Sequence, residues 1–187
     1  MTDKELTYQL ENQLWRHTKK RGTFGCFEVT IGWRGRERVD YLTYDTQDIF
    51  RCYELKVSKA DFYSNNKLSF LGHYNYYVMP LELYEQVKED INDFVGVYIP
   101  DNGKLLSIKR AKKRELRVDK DILKDSLIRS LYRESEKVIS NRDVLEIEKV
   151  RKDLNRAKKK AYQNYKQHMD LRKKLYQKYG DSWKEDL

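Results

Sequence analysis

Glu54 and Lys56 stand two residues apart in the segment YELKVSKADF, residues 53 to 62, and Glu54 is the one acidic residue of the chain followed by a lysine at that spacing. The segment reads as a strand running into a helix start. Side chains alternate along a strand, so Phe50, Cys52, Glu54 and Lys56 share one face, and the glutamate and lysine are neighbours. Upstream, RVDYLTYD carries Asp40, and a turn near residue 47 folds it back beside DIFRCYELKV, with Asp40 opposite residue 53 or 54. In the second register the two carboxylates lie about 5 Å apart at their Cβ atoms.

Two carboxylates that close repel unless a positive charge stands between them. Mg²⁺ suits such a pair, because it takes oxygen ligands and is commonly held by one or two carboxylates plus water and substrate phosphate. A lysine beside it supplies a compact cation able to orient water or to stabilise charge building on a phosphate. The competing reading is an ordinary ion pair on a half-exposed strand, in a chain of which 37% is charged.

These residues need a scaffold. Leu6, Leu10 and Leu14 recur at helical spacing, and Gly22 and Gly25 close that helix ahead of the strand CFEVTIGW. RVDYLTYD and DIFRCYELKV form a hairpin. Ser58 followed by Asp61 has the form of a capping box and opens a helix. HYNYYVMP then reads as a strand, LELYEQVKEDIND as a helix, and FVGVYIP and KLLSIKRA as strands joined by the turn at Pro100 to Gly103. The order predicts a mixed α/β domain over residues 1–115.

Residues 116–187 differ in kind. Up to Gly103 there are 13 Lys and Arg against 16 Asp and Glu, whereas beyond it there are 26 against 14, so the net +9 of the chain arises from its second half. Seven of eight glycines and both prolines also precede Lys104. Long helices are expected from about Val118 to Tyr179. Ile147, Val150, Leu154, Ala157, Ala161, Asn164, His168, Leu171 and Leu175 form a weak heptad-like stripe, the pattern of a coiled-coil extension. Such helices offer a route to a homodimer.

The basic balance points to an acidic partner, either nucleic acid or an anionic surface. No apolar run is long enough to span a bilayer, so no membrane partner is expected. Two cysteines far apart, Cys26 and Cys52, support neither a zinc finger nor a disulfide framework, and a cytoplasmic setting is expected. The three histidines form no ligand pattern, and there is no glycine-rich phosphate loop.

The pattern Asp40 with Glu54-Leu55-Lys56 resembles the metal-binding core of the PD-(D/E)XK nuclease superfamily, and the order of elements is similar to that superfamily's restriction-endonuclease-like fold. The run ELKVSKADF, with Lys67 downstream and then GHYNYYVMP, looks most like the MmcB-type DNA repair branch; the resemblance covers about residues 5 to 110. Val39 stands where the superfamily often has a proline.

The resemblance implies a Mg²⁺-dependent DNA endonuclease, with Mn²⁺ as a substitute, acting in repair, recombination or the processing of mobile-element or phage DNA. It assigns Asp40, Glu54 and the Leu55 carbonyl to metal and Lys56 to the attacking water. It also implies a further glutamate, which Glu28 on the first strand suits better than Glu11 on the first helix. The alternative is a DNA-binding or adaptor protein that keeps the fold without catalysis.

Arg34, Arg36 and Lys67 are candidates for gripping a phosphate backbone near the site, against the simpler reading of solvated loops. Arg156, Lys158, Lys159 and Lys160, with Tyr162 and Tyr165 beside them, could lay a basic helix along DNA, although a solvated helical face is the common fate of such runs. Tyr74, Tyr76 and Tyr77 could stack on bases or fill the core, and core is expected for Tyr77.

Overall fold

The computed structural model describes residues 2–33, 35, 37–64, 70–140 and 144–180. Its elements follow the predicted order: α1 (Asp3–Thr18), β1 (Thr23–Thr30), β2 (Arg38–Asp45), β3 (Phe50–Leu55), α2 (Lys59–Phe62), β4 (Tyr74–Val78), α3 (Leu81–Val87, extended by a 3₁₀ turn Lys88–Asp90), β5 (Val95–Asp101), β6 (Lys104–Lys109), α4 (Lys120–Ser140) and α5 (Val144–Tyr179). The strands form one mixed sheet in sequential order. β1, β2 and β3 are antiparallel, β4 and β5 run parallel to β3, and β6 returns antiparallel to β5.

Local chemistry accounts for the key turns. Thr2 accepts from the Glu5 amide while the Glu5 carboxylate accepts from the Thr2 amide, a capping box that starts α1. Between β2 and β3 the Asp45 carboxylate accepts from the Gln47 and Ile49 amides, and Asp48 adopts a left-handed φ of 60°. Asp and Asn tolerate that conformation better than other non-glycine residues. The tight loop sets the register of the hairpin.

Each face of the sheet is covered. On one, Leu10 and Leu14 of α1 pack against Tyr41, Tyr53, Leu55, Val78 and Leu105. On the other, Leu123 and Leu127 of α4 pack against Val29, Leu42, Phe50 and Cys52, while Leu83 and Val87 of α3 pack against Tyr77, Val95 and Val97. Alternation along β3, β4 and β5 produces this division, since odd and even positions serve opposite layers. Tyr77 is a core residue, as expected.

The compact core unit is Met1–Glu136 and the second unit is Lys137–Leu187. The reason is α4, whose Leu123 and Leu127 are almost fully buried in the core and whose Lys120 and Lys124 both reach the Asp48 carboxylate. The hydrogen bonds from Lys124, Tyr44 and Lys120 hold that carboxyl far below its ordinary range. In the second unit, α5 is a continuous helix without a glycine or proline, as its composition predicts.

Candidate functional site

β2 and β3 pair through Tyr41–Tyr53, Leu42–Cys52, Thr43–Arg51 and Tyr44–Phe50. The pairing ends at Tyr41–Tyr53, in a register whose count runs toward Asp40 and Glu54. Asp40 is tied to this end of β3 by a hydrogen bond, its Oδ2 accepting from the Leu55 amide at 2.9 Å. Glu54 is 5% exposed and lies beside Tyr77 of the parallel neighbour β4. Burial first, and the Glu54 charge second, raise the Tyr77 phenol above its ordinary value.

Lys56 follows β3 immediately, its amide donating to the Val78 carbonyl. Its side chain is buried, and its Nζ lies 3.3 Å from Asp61 Oδ1 and 3.2 Å from the Asp61 carbonyl oxygen. Asp61 does three things. Its amide donates to Ser58 Oγ, which caps α2; its Oδ2 accepts from the Val57 amide; and its Oδ1 holds the lysine. The sequence marked Ser58 and Asp61 as helix-cap residues, which they are, but the grip of Asp61 on Lys56 was missed. The signal was the five-residue spacing across a strand-to-helix turn, which folds the cap back over the strand end.

The two glutamates proposed to complete the site separate. Glu28 has a left-handed φ of 56°, and its half-exposed carboxylate pairs with Arg38 at 2.5 Å. Phe27 and Tyr41 pack beside α1, whereas Val29 and Val39 pack in the cluster containing Leu123 and Leu127, so the hairpin changes layers at Glu28 and Asp40. Plain alternation would have kept residues 27 and 29 on one face. Glu11 on α1 is half-buried, and burial first, then the charges of Glu28 and Asp40, raise its carboxyl above the usual range.

Other candidates fall elsewhere. Arg34, Arg36 and Lys67 lie outside the described residues. Arg156, Lys158, Lys159 and Lys160 are exposed on α5, with Arg156 3.7 Å from Asp153. Tyr76 is half-buried between Tyr53 and Tyr98, stacked on Tyr53 with ring centroids 5.1 Å apart. These tyrosines line a cavity of about 200 Å³ with His17, Lys20, Thr43 and the Arg51–Asp45 ion pair, at the end of β3 away from Glu54. Sequence reasoning had no means to find it, because its walls come from α1 and five different strands.

The donor set is oxygen only, which suits a hard cation such as Mg²⁺. Among the described residues, no three His, Cys, Asp or Glu side chains are arranged to hold a metal ion.

No family model matches the chain, and no curated protein matches it. Among solved structures it is similar to SPO1766, a protein of unknown function from Silicibacter pomeroyi, with a TM-score of 0.58 and 18% identity over 73% of this chain and 91% of that one. At that identity the likeness is one of fold. The class defined is therefore a layered α/β protein with a six-stranded mixed sheet and a C-terminal helical part. Among the described residues, no helix is long and apolar enough to cross a membrane.

Proposed function

We propose that the protein is a divalent-metal-dependent DNA phosphodiesterase, in the manner of the PD-(D/E)XK nucleases, with its site at the ends of β2 and β3. The observation that carries the reading is the hydrogen bond from the Leu55 amide that ties Asp40 to the end of β3, beside buried Glu54 and with a buried lysine two residues past it. A buried ammonium next to buried carboxylate is costly to maintain unless the charges are compensated and used. In this reading Asp40, Glu54 and the Leu55 carbonyl are the ligands, and Glu11 replaces Glu28 as the further acidic group. Bound Mg²⁺, or Mn²⁺ in its place, supplies Lewis-acid polarisation of the phosphate and a more acidic water.

The protein's own contribution is placement. Asp61 holds the Lys56 ammonium with its stem buried, so the charge is fixed before substrate arrives. Such a preorganised donor stabilises charge developing on a phosphoryl oxygen without reorganisation cost, and it can orient the attacking water in line with the leaving oxygen. The Leu55 amide fixes one Asp40 oxygen and leaves the other to ligate.

A second reading is a non-catalytic DNA-binding adaptor of the same fold. The Lys56–Asp61 pairing favours it, because a lysine whose charge is already satisfied makes a good structural element. Cleavage of plasmid, single-stranded and branched DNA in Mg²⁺, Mn²⁺ and EDTA separates the two. The enzyme reading expects metal-dependent cutting that Lys56→Ala removes while Mn²⁺ affinity persists. DNA binding without cutting of any substrate establishes the adaptor, and cutting that survives EDTA or Glu54→Gln places the chemistry elsewhere.

A further inference from the structure

Trp33 is 84% exposed, although tryptophan gains more from burial than any other side chain. It sits in the loop between β1 and β2, five residues after Glu28 and seven before Asp40. This loop is anchored. The Ile31 amide donates to the Glu37 carbonyl at 3.0 Å, closing its base. The Gly32 amide donates to Ser126 Oγ at 2.9 Å, and Ser126 is fully buried on α4. Gly32 has a φ of +75°, and a Cβ at Gly35 would run into the Ile31 carbonyl oxygen, so glycine is required at both positions.

The surroundings are cationic. Arg129 of α4 lies over the Trp33 ring at 4.5 Å and also donates to Ser126 Oγ. One turn further on, Arg133 donates to the Glu28 carbonyl. Arg38 is more than half exposed beside Glu28. An exposed aromatic ring among arginines is complementary to a nucleobase attached to a phosphate backbone, since bases stack on aromatic rings irrespective of sequence while arginines follow the phosphates. An acidic protein surface would pair with the arginines but leaves the ring without a planar partner.

We propose that Trp33 is a stacking platform for an unpaired base, so that the preferred nucleic acid carries a single-stranded segment or a junction instead of being fully paired duplex. Calling that nucleic acid a substrate rests on the phosphodiesterase reading; binding does not. The Ile31–Glu37 pair is three residues along the strand from Asp40, about 10 Å at the rise of a strand. The platform would hold a base at the loop end of β1 and β2, the end of β2 that also carries Asp40.

The test measures anisotropy of labelled oligonucleotides with the full chain in EDTA, using a single-stranded oligothymidine, a blunt duplex and a duplex with a single-stranded tail. The wild type should bind the tailed and single-stranded probes more tightly than the blunt duplex. Trp33→Ala should lose roughly 5- to 100-fold on those two and little on the duplex, and Trp33→Phe should keep most of the affinity. Circular dichroism checks folding; if Trp33→Ala does not fold, the Phe variant together with quenching of wild-type tryptophan fluorescence by oligothymidine decides. Equal losses on all probes, no loss, or no binding of any nucleic acid by the wild type overturns the proposal, the last leaving a protein partner for this face. Selective loss without Mg²⁺-dependent cutting retains the platform and sinks the phosphodiesterase. Cutting unaffected by Trp33→Ala does the reverse.

Discussion

Lys56 is 4% exposed and held by Asp61, whereas Lys158, Lys159 and Lys160 on α5 stand in solvent. The same side chain means different things in the two units. Enclosing an ammonium costs several kcal/mol of solvation, so Lys56 stays where it is only because counter-charges and hydrogen bonds have been arranged around it. A solvated lysine costs nothing and needs no arrangement. The α4 and α5 helices repeat the contrast with apolar residues: Leu123 and Leu127 are buried, while Ile147, Val150, Leu154 and Leu171 are more than half exposed. Burial makes a residue's role legible from its neighbours, and exposure leaves it to be decided by a partner.

That contrast can be broken most sharply at the candidate site. Glu54→Gln and Asp40→Asn should abolish both cleavage and Mn²⁺ binding, and Lys56→Ala should lower cleavage by about 10²- to 10³-fold or more, the usual cost of one preorganised charge donor. Substituting Lys159→Ala should leave single-turnover cleavage unchanged at saturating enzyme. Equal effects of the buried and the exposed lysine would erase the distinction.

Stability comes next. Leu123→Ala should cost about 2–5 kcal/mol in urea unfolding, whereas Leu154→Ala should stay within about 0.5 kcal/mol in dilute monomer. A chain ending at Glu136 should keep the wild-type core transition, and one ending at residue 118 should not fold, because it lacks the helix that covers Phe50 and Cys52. A large effect at Leu154 that depends on protein concentration would reveal α5 pairing with a second copy.

Smaller is the effect of α5 on DNA binding. Removing residues 137–187 should reduce the slope of log affinity against log salt by about 0.9 for each duplex phosphate that α5 neutralises. An unchanged slope would make the basic run a solvated face only.

Smallest is a pH effect at Glu11. Its carboxyl titrates above its ordinary 4.5 in the folded chain, so its protonated form is favoured by folding and that stability disappears as pH rises through the folded value. Glu11→Gln should therefore raise the melting temperature at pH 7 and make no difference below the unfolded pKa. Added Mn²⁺ should narrow the gap at pH 7 by stabilising the wild type more than the variant. Calorimetry across pH with and without metal reads both.

Much of this molecule is written in local patterns. The periodic leucines of α1, the alternation of β3, the Ser58 cap and the absence of Gly and Pro from Val118 to Tyr179 each act over a few residues, so element order and the helical C-terminal part were legible in the sequence itself. The domain end was not, because nothing local in DILKDSLIRS says that its leucines meet β1 and β2, far earlier in the chain. Nor was the choice between Glu28 and Glu11, since both are acidic residues on amphipathic elements. The structure adds a left-handed backbone and an Arg38 partner at Glu28, and a place for Glu11 on the helix that packs over the sheet, neither of which the sequence shows. The register of β2 on β3 was narrowed by sequence to two choices. Only the turn at Asp45 to Asp48 and the packing of both sheet faces selected one, because a slip of one residue would send every side chain of the strand to the opposite layer.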